Sequence, residues 1–169
     1  FNIDVLTLTV RVPPEVAERL RSLSEGRSYS EDLADSVAAV VLETEDLWAR
    51  QVLHRDVGYD RMAGGMRETA QRAAEASYIS EEYLEGFTAR IPELFGFLRD
   101  DGASEGDEIF FRIRGDTVRT VYRTVEGEVR LDRTVVDPEA RRASVPAFFA
   151  PETRFRRRLV ESLLERDGG

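Results

Sequence analysis

The 169-residue chain has 33 acidic and 24 basic side chains, every basic one an arginine, and its net charge is -9. It contains no cysteine and one histidine, which excludes disulfides, thiolate metal sites and centres built from several histidines. The acidic balance argues against binding to the phosphate backbone of nucleic acids. No apolar run approaches the ~20 residues needed to cross a membrane. We therefore expect one soluble domain over residues 1–169, with no cofactor, metal, nucleic acid or transmembrane segment.

The first half of the chain predicts two strands separated by helices. Alternating apolar residues indicate a strand over residues 3–12. Two helices follow, Pro14–Ser24 and residues 30–41, the second with Ser30 as its N-cap. A strand-like pattern then covers residues 46–57. Because the first residue is Phe, not Met, and leads directly into the first strand pattern, we expect further residues to precede it; the compartment and the oligomeric state stay open.

The second half predicts two longer helices, a set of strands and a final helix. The helices cover residues 60–76 and a segment from Ser80 to Leu98, where Pro92 implies a kink or a break. Short strands over residues 108–114, 117–124 and 128–134 are separated by turns at Gly115-Asp116 and Glu126-Gly127. An amphipathic helix over residues 152–166 follows. The order of elements predicts an α+β fold, a mainly antiparallel sheet with a layer of helices on one face.

Two catalytic patterns can be set aside. His54-Arg55-Asp56 matches three letters of a kinase catalytic loop, but the chain has no lysine and no glycine-rich loop. A triad built on His54 lacks a serine in a GxSxG turn. The chain therefore does not follow either of these catalytic plans.

The hairpins near residue 115 place arginines in alternation with apolar residues. Arg112 and Arg114 share one face of their strand, and Phe111 and Ile113 share the other. A row of guanidinium groups could bind a carboxylate or another anion, since arginine recognises these groups bidentately. Alternatively, the arginines form a solvated face that neighbouring acids balance.

Several short segments resemble the bacterial chalcone isomerase-like family. These are residues 83–87, residues 106–111 with a Gly-Asp pair at the entry to a hairpin, and the amphipathic tail at 148–164. Residues 55–57 and 1–5 also resemble family features. The resemblance implies an open-faced β-sandwich, in which a sheet and a helix layer enclose an apolar cleft. Plant enzymes of the family close a chalcone to a flavanone, whereas relatives bind fatty acids without catalysis.

The catalytic positions of the family are incompletely matched. The resemblance places the arginine that handles the anionic group of the ligand upstream of Phe1. It places Val5, which has no hydroxyl, near the strand threonine of the family, and Tyr59 near its catalytic tyrosine. We therefore expect a non-catalytic domain that binds a small apolar or carboxylate ligand such as a fatty acid.

For the binding site we expect Val5, Phe87, Ile91, Arg112 and Arg114 to contact the ligand. An isomerase or lyase acting on a chalcone-like enone is the alternative, with Tyr59 as the acid and an upstream arginine as the electrostatic stabiliser. A protein-interaction domain that uses the same fold is a further alternative.

Overall fold

Residues 5–167 are described by a computed structural model, which contains one five-stranded antiparallel sheet. The strands lie in the sheet in chain order: β1 (Leu6–Arg11), β2 (Asp46–Leu53), β3 (Glu108–Arg114), β4 (Thr117–Arg123) and β5 (Val129–Val136). Each strand pairs with the one before it, so β1 and β5 form opposite edges. The predicted α+β class with an antiparallel sheet is confirmed.

Six α-helices occupy the described part of the chain: α1 (Pro14–Ser24), α2 (Glu31–Glu43), α3 (Tyr59–Glu75), α4 (Glu81–Leu94), α5 (Pro138–Ala143) and α6 (Arg156–Asp167). Short 3-10 helices cover Gly96–Leu98 and Val145–Phe149. Ser30 and Ser80 act as N-caps, because each hydroxyl accepts a hydrogen bond of 3.1 Å from the backbone N–H three residues on. Helix α4 continues past Pro92 to Leu94, so no break occurs at the proline.

Several predicted boundaries differ from the structure, among them those of β2, β5 and α6. β2 ends at Leu53, and Val57 instead forms an isolated antiparallel bridge with Ala103 through two backbone hydrogen bonds of 2.8 Å. β5 extends to Val136, two residues beyond its predicted end. α6 begins at Arg156, because Glu152 has a positive φ of 65° and the Thr153 hydroxyl accepts from the Arg156 N–H. The predicted start of the first strand at residue 3 lies outside the described residues.

The largest part of the core lies between the sheet and α2. Leu33, Val37 and Val41 project from α2 with 0–1% exposure and join Leu47 and Ile113 of the sheet. Their spacing of four residues places them on one face of the helix, as burial of that face requires. This packing fixes α2 at one end of the inward sheet face.

A buried arginine ties α6 to this core. Arg156 is 3% exposed, and its guanidinium donates to Asp35 Oδ1 at 2.6 Å, Glu31 Oε2 at 3.0 Å and the Phe149 carbonyl at 3.0 Å. Charge-assisted hydrogen bonds of this kind offset the cost of burying a cation. The start of α6 is thereby held against α2.

The outward face of the sheet carries the arginine row considered above. Arg119 of β4 forms a bidentate pair with Asp132 of β5, at 2.9 and 2.7 Å. Arg50 and Arg123 both donate to Glu108, the Arg123 bond being 2.6 Å long. Acids from neighbouring strands therefore balance much of the positive charge on this face.

Candidate functional site

A cavity of about 960 Å³ lies between the inward face of the sheet and the helices. This volume falls in the ~300–1,000 Å³ range of small-molecule sites. All five strands and four helices, α3, α4, α5 and α6, contribute lining side chains. The cavity therefore extends across the sheet from the β1 edge to the β5 edge.

The register of the sheet arranges the floor of the cavity in rows across the strands. One row contains Leu8, Gln51, Ile109 and Leu131 as lining residues; the buried Tyr122 completes the row between Ile109 and Leu131 without lining the cavity. In the next row, Phe111, Thr120 and Arg133 are successive neighbours on β3, β4 and β5. Apolar side chains dominate, and the polar groups of the floor are concentrated on β2, β4 and β5.

The roof of the cavity is also largely apolar. Helix α3 contributes Met62 and Met66, and α4 contributes Phe87 and Leu94. Unbranched methionine side chains adapt to irregular surfaces, which suits a site that contacts a flexible apolar ligand. Gly65 of α3 also lines the cavity, and a Cβ atom built there would meet no atom within 4 Å. The space beneath α3 is therefore open.

Gln51 is a buried polar residue in the floor of the cavity. Its side chain is 8% exposed, and it forms no hydrogen bond with any residue in the range 5–167. Its amide atoms are not among the fully buried polar atoms without a partner, and Gln51 lines the cavity, where such groups normally pair with water or a ligand. Gln51 therefore provides a polar contact point inside a mainly apolar floor.

Five arginines line the cavity, and they differ in their partners. Arg154 lies 3.6 Å from Glu68, and the Arg90 Nε donates to the Gly86 carbonyl at 3.2 Å. Arg133, on the inward face of β5, forms no ion pair or side-chain hydrogen bond within the part of the chain that the structure describes. Arg61 and Arg158 are exposed at the cavity rim. The lining is thus apolar with cations at its borders.

Tyr83 of α4 lies in the same region as Arg90 and Arg133. Burial raises the pKa of its hydroxyl, and the guanidinium groups of Arg90 and Arg133 act in the opposite direction. Asp137 and Glu139 add to the increase in the pKa. Tyr83 therefore stays protonated at neutral pH and can donate a hydrogen bond into the cavity.

Two of the residues predicted to contact a ligand line this cavity. They are Val5, directly before β1, and Phe87 on α4. Ile91 is fully buried on α4, but it is not among the lining side chains.

Arg112 and Arg114 alternate with the inward-facing Phe111 and Ile113, so they lie on the outward face of β3. Arg112 donates there to Asp46 and to the Leu47 carbonyl. The structure thus separates both arginines from the cavity by the sheet itself. Binding of an anion by these two side chains stays a prediction from the sequence.

Tyr59, the predicted acid, begins α3 and packs with the apolar cluster around Leu53 and Ile109. Its hydroxyl is buried and has no hydrogen-bond partner among the described residues, and it is not part of the cavity lining. A catalytic role of Tyr59 stays a prediction as well.

Arg133 and Arg90 line the cavity but were not predicted as site residues from the sequence. The signal for Arg133 is its position between Leu131 and Val135, which share its side of β5. The predicted strand ended at residue 134 and so did not include Val135, an apolar residue that would have indicated that this face of β5 points inward. Arg90 follows Tyr83 by seven residues, which is two helical turns, and this spacing places both on one face of α4.

The described residues contain no group of three or more His, Cys, Asp or Glu side chains arranged to hold a metal ion. Within the same range, none of the helices combines the length and apolar character that a membrane span requires.

Comparison with known proteins points to the fold. No family model and no curated protein matches the chain. Among solved structures, the chain is similar to the crystal structure of a fatty-acid binding protein from Arabidopsis thaliana, with a TM-score of 0.56 and 14% sequence identity. The similarity covers 96% of this chain and 81% of that one. At this level of identity it concerns the fold alone, and the expected chalcone isomerase-like α+β architecture is confirmed.

Proposed function

We propose that this protein binds a small apolar or amphipathic ligand, such as a fatty acid, in the cavity between sheet and helices. The observation that carries the proposal is the cavity of about 960 Å³, lined by apolar side chains from strands and helices alike. Arginines at its borders favour an anionic amphiphile over a neutral hydrocarbon. The fold shared with a plant fatty-acid binding protein supports the same assignment.

The catalytic alternative draws less support from the geometry. General acid catalysis requires the proton donor within hydrogen-bonding reach of the substrate. Tyr59 does not line the cavity, and Val5 offers no hydroxyl at its border. Binding without turnover is therefore the function that the arrangement of side chains favours.

Displacement of a fluorescent apolar probe tests the proposal. We expect an anilinonaphthalene sulfonate probe to bind saturably, and laurate to displace it. Butyrate, which has the same head group, should fail at equal concentration, because each buried methylene contributes about 0.8 kcal/mol. Absence of saturable probe binding, or equal displacement by butyrate and laurate, would contradict binding in an apolar cavity.

Native mass spectrometry of the purified protein gives an independent measurement. We expect co-purified amphiphiles of discrete mass, each bound to one copy of the chain and released on denaturation.

A further inference from the structure

We propose that Arg133 is the anchor for the anionic head group of the ligand, assisted by Arg90 and the Tyr83 hydroxyl at the β5 side of the cavity. The inference rests on the proposed function and specifies the ligand as a carboxylate or a similar anion. It also assigns a direction to the ligand, with its head group at β5 and its apolar chain extending toward β1.

The first support is the position of Arg133 on the sheet. Leu131 and Val135 flank it on the same face of β5, and all three side chains line the cavity. Its neighbour across the ladder is Thr120 of β4, which also lines the cavity. Arg133 is thus a cation on an otherwise apolar stretch of an edge strand.

The second support is the state of its guanidinium group. Arg133 is partly buried, yet no acid within residues 5–167 forms an ion pair with it. Other arginines on strands, such as Arg119 and Arg123, have carboxylate partners. A partly buried cation loses hydration, and a carboxylate that enters the cavity would restore its hydrogen bonds.

The third support comes from α4, which places two further donors in this region. Arg90 and Tyr83 line the cavity from one face of α4, and the pKa of Tyr83 responds to both Arg90 and Arg133. Arg90 uses its Nε for the Gly86 carbonyl, which leaves its terminal nitrogens available to a ligand. Two guanidinium groups and one hydroxyl therefore surround the same part of the cavity.

One acid, Asp137, also lines this part of the cavity. Its Oδ1 accepts the Glu139 N–H at 2.9 Å, so the carboxylate caps the start of α5. Glu139, the other acid that acts on Tyr83, does not line the cavity; its carboxylate accepts the Ser80 N–H at 2.6 Å and lies near Arg142. Among the lining groups of this region, Asp137 therefore offsets one of the two positive charges and leaves a net positive charge. A monoanionic head group matches that balance better than a dianion does.

Calorimetric titration with laurate and dodecanol tests the anchor. Arg133→Gln should weaken laurate binding about 10- to 100-fold, the effect of losing a charged hydrogen-bonding partner. Dodecanol, which has no charge, should bind within about twofold of wild type. Arg133→Lys should recover part of the laurate affinity, and thermal unfolding of each variant checks that it folds.

Two arginine variants serve as matched controls. Arg114→Gln removes the same charge from the outward sheet face, and Arg67→Gln removes it from an exposed position on α3 that does not line the cavity. We expect laurate affinity within about threefold of wild type for both.

The outcomes separate the two proposals. If laurate binds the wild type and Arg133→Gln equally well, the anchor is wrong while the binding function survives. An equal loss in Arg114→Gln or Arg67→Gln would also overturn the anchor, because net charge would then explain the effect. If the wild type binds neither laurate nor dodecanol, the proposed function itself fails.

Discussion

Asp107 shows how one residue organises the turns at the end of the sheet. It is 4% exposed, and its carboxylate accepts the Tyr122 hydroxyl and the backbone N–H groups of Ser104 and Val125, the latter two at 2.9 Å. These bonds connect the loop before β3 to the turn after β4. Asp107 of the Gly-Asp pair noted in the sequence therefore stabilises the loop before β3 and the turn after β4.

The Tyr122 hydroxyl gives a pH-dependent prediction. Burial, followed by the hydrogen bond to Asp107, raises the pKa of Tyr122 above its ordinary value. The stability contributed by the protonated form is fully present below pH ~10, the pKa of unfolded tyrosine, and is lost as pH rises above it. At pH 9 we expect Tyr122→Phe to be less stable than wild type by about 1–3 kcal/mol.

Above pH ~10 the difference in free energy of unfolding between wild type and Tyr122→Phe should shrink by about 1.4 kcal/mol per pH unit. Urea titrations at several alkaline pH values measure it. A difference that stays constant through this range would show that Tyr122 ionises equally in the folded and unfolded states.

The inward and outward residues of β3 could be predicted from alternation alone, but those at the start of β5 could not. The pattern Ile109, Phe111 and Ile113 is continuous on one side of β3. β5 has a register shift against β4 at Tyr122 and Arg123, and a one-residue shift exchanges the faces of a strand. The shift lies between Leu131 and Val129, whereas Arg133 pairs with Thr120 in the regular part of the ladder and shares the inward side of Leu131 and Val135.

At the scale of elements, the end of the cavity depends on a bridge between two loops. Val57, which lines the cavity, pairs with Ala103, and Gly102 directly precedes this bridge with a φ of 71°. A Cβ atom at Gly102 would lie 2.7 Å from the Val57 carbonyl oxygen. Only glycine fits there without displacing the bridge.

Gly102→Ala should therefore lower the free energy of unfolding by at least ~2 kcal/mol, from backbone strain and steric overlap together. Gly115→Ala is the matched control, since Gly115 also has a positive φ, 56°, but open space around its Cβ position. We expect a loss of about 1 kcal/mol for this control. Equal losses in chemical denaturation would contradict the role of the close contact.

Elements with strong local signals were predicted well. α1 and β3 have the predicted bounds, and the serine caps of α2 and α4 form as expected. The start of α6 was predicted four residues early, because its apolar periodicity extends back to Phe155. The positive φ of Glu152 and the bond from Thr153 to the Phe148 carbonyl are tertiary features that periodicity does not report.

At the scale of the whole molecule, the absence of lysine gives every cation the same chemistry. Guanidinium groups pair with acids on the outward sheet face, and one ties α6 to α2. Others border the cavity. The family resemblance predicted an apolar cleft. Composition alone does not distinguish these three groups of arginines, because the role of each arginine depends on the sheet face or the helix on which it lies.

If the cavity is the binding site, a large side chain at Gly65 should block it. Gly65 lines the cavity, whereas its neighbour Gly64 does not, and a Cβ atom on either would meet no atom within 4 Å. Gly65→Trp therefore directs a large side chain into the cavity without a backbone clash. Gly64→Trp makes the same change one position away on α3.

Calorimetric titration of both variants with laurate is the decisive measurement. We expect Gly65→Trp to bind laurate at least ~10-fold more weakly than wild type, because excluding two methylene groups alone costs about 1.6 kcal/mol. Gly64→Trp should bind within about threefold of wild type, and both variants should unfold cooperatively. Wild-type affinity for laurate in a folded Gly65→Trp variant would contradict binding in this cavity.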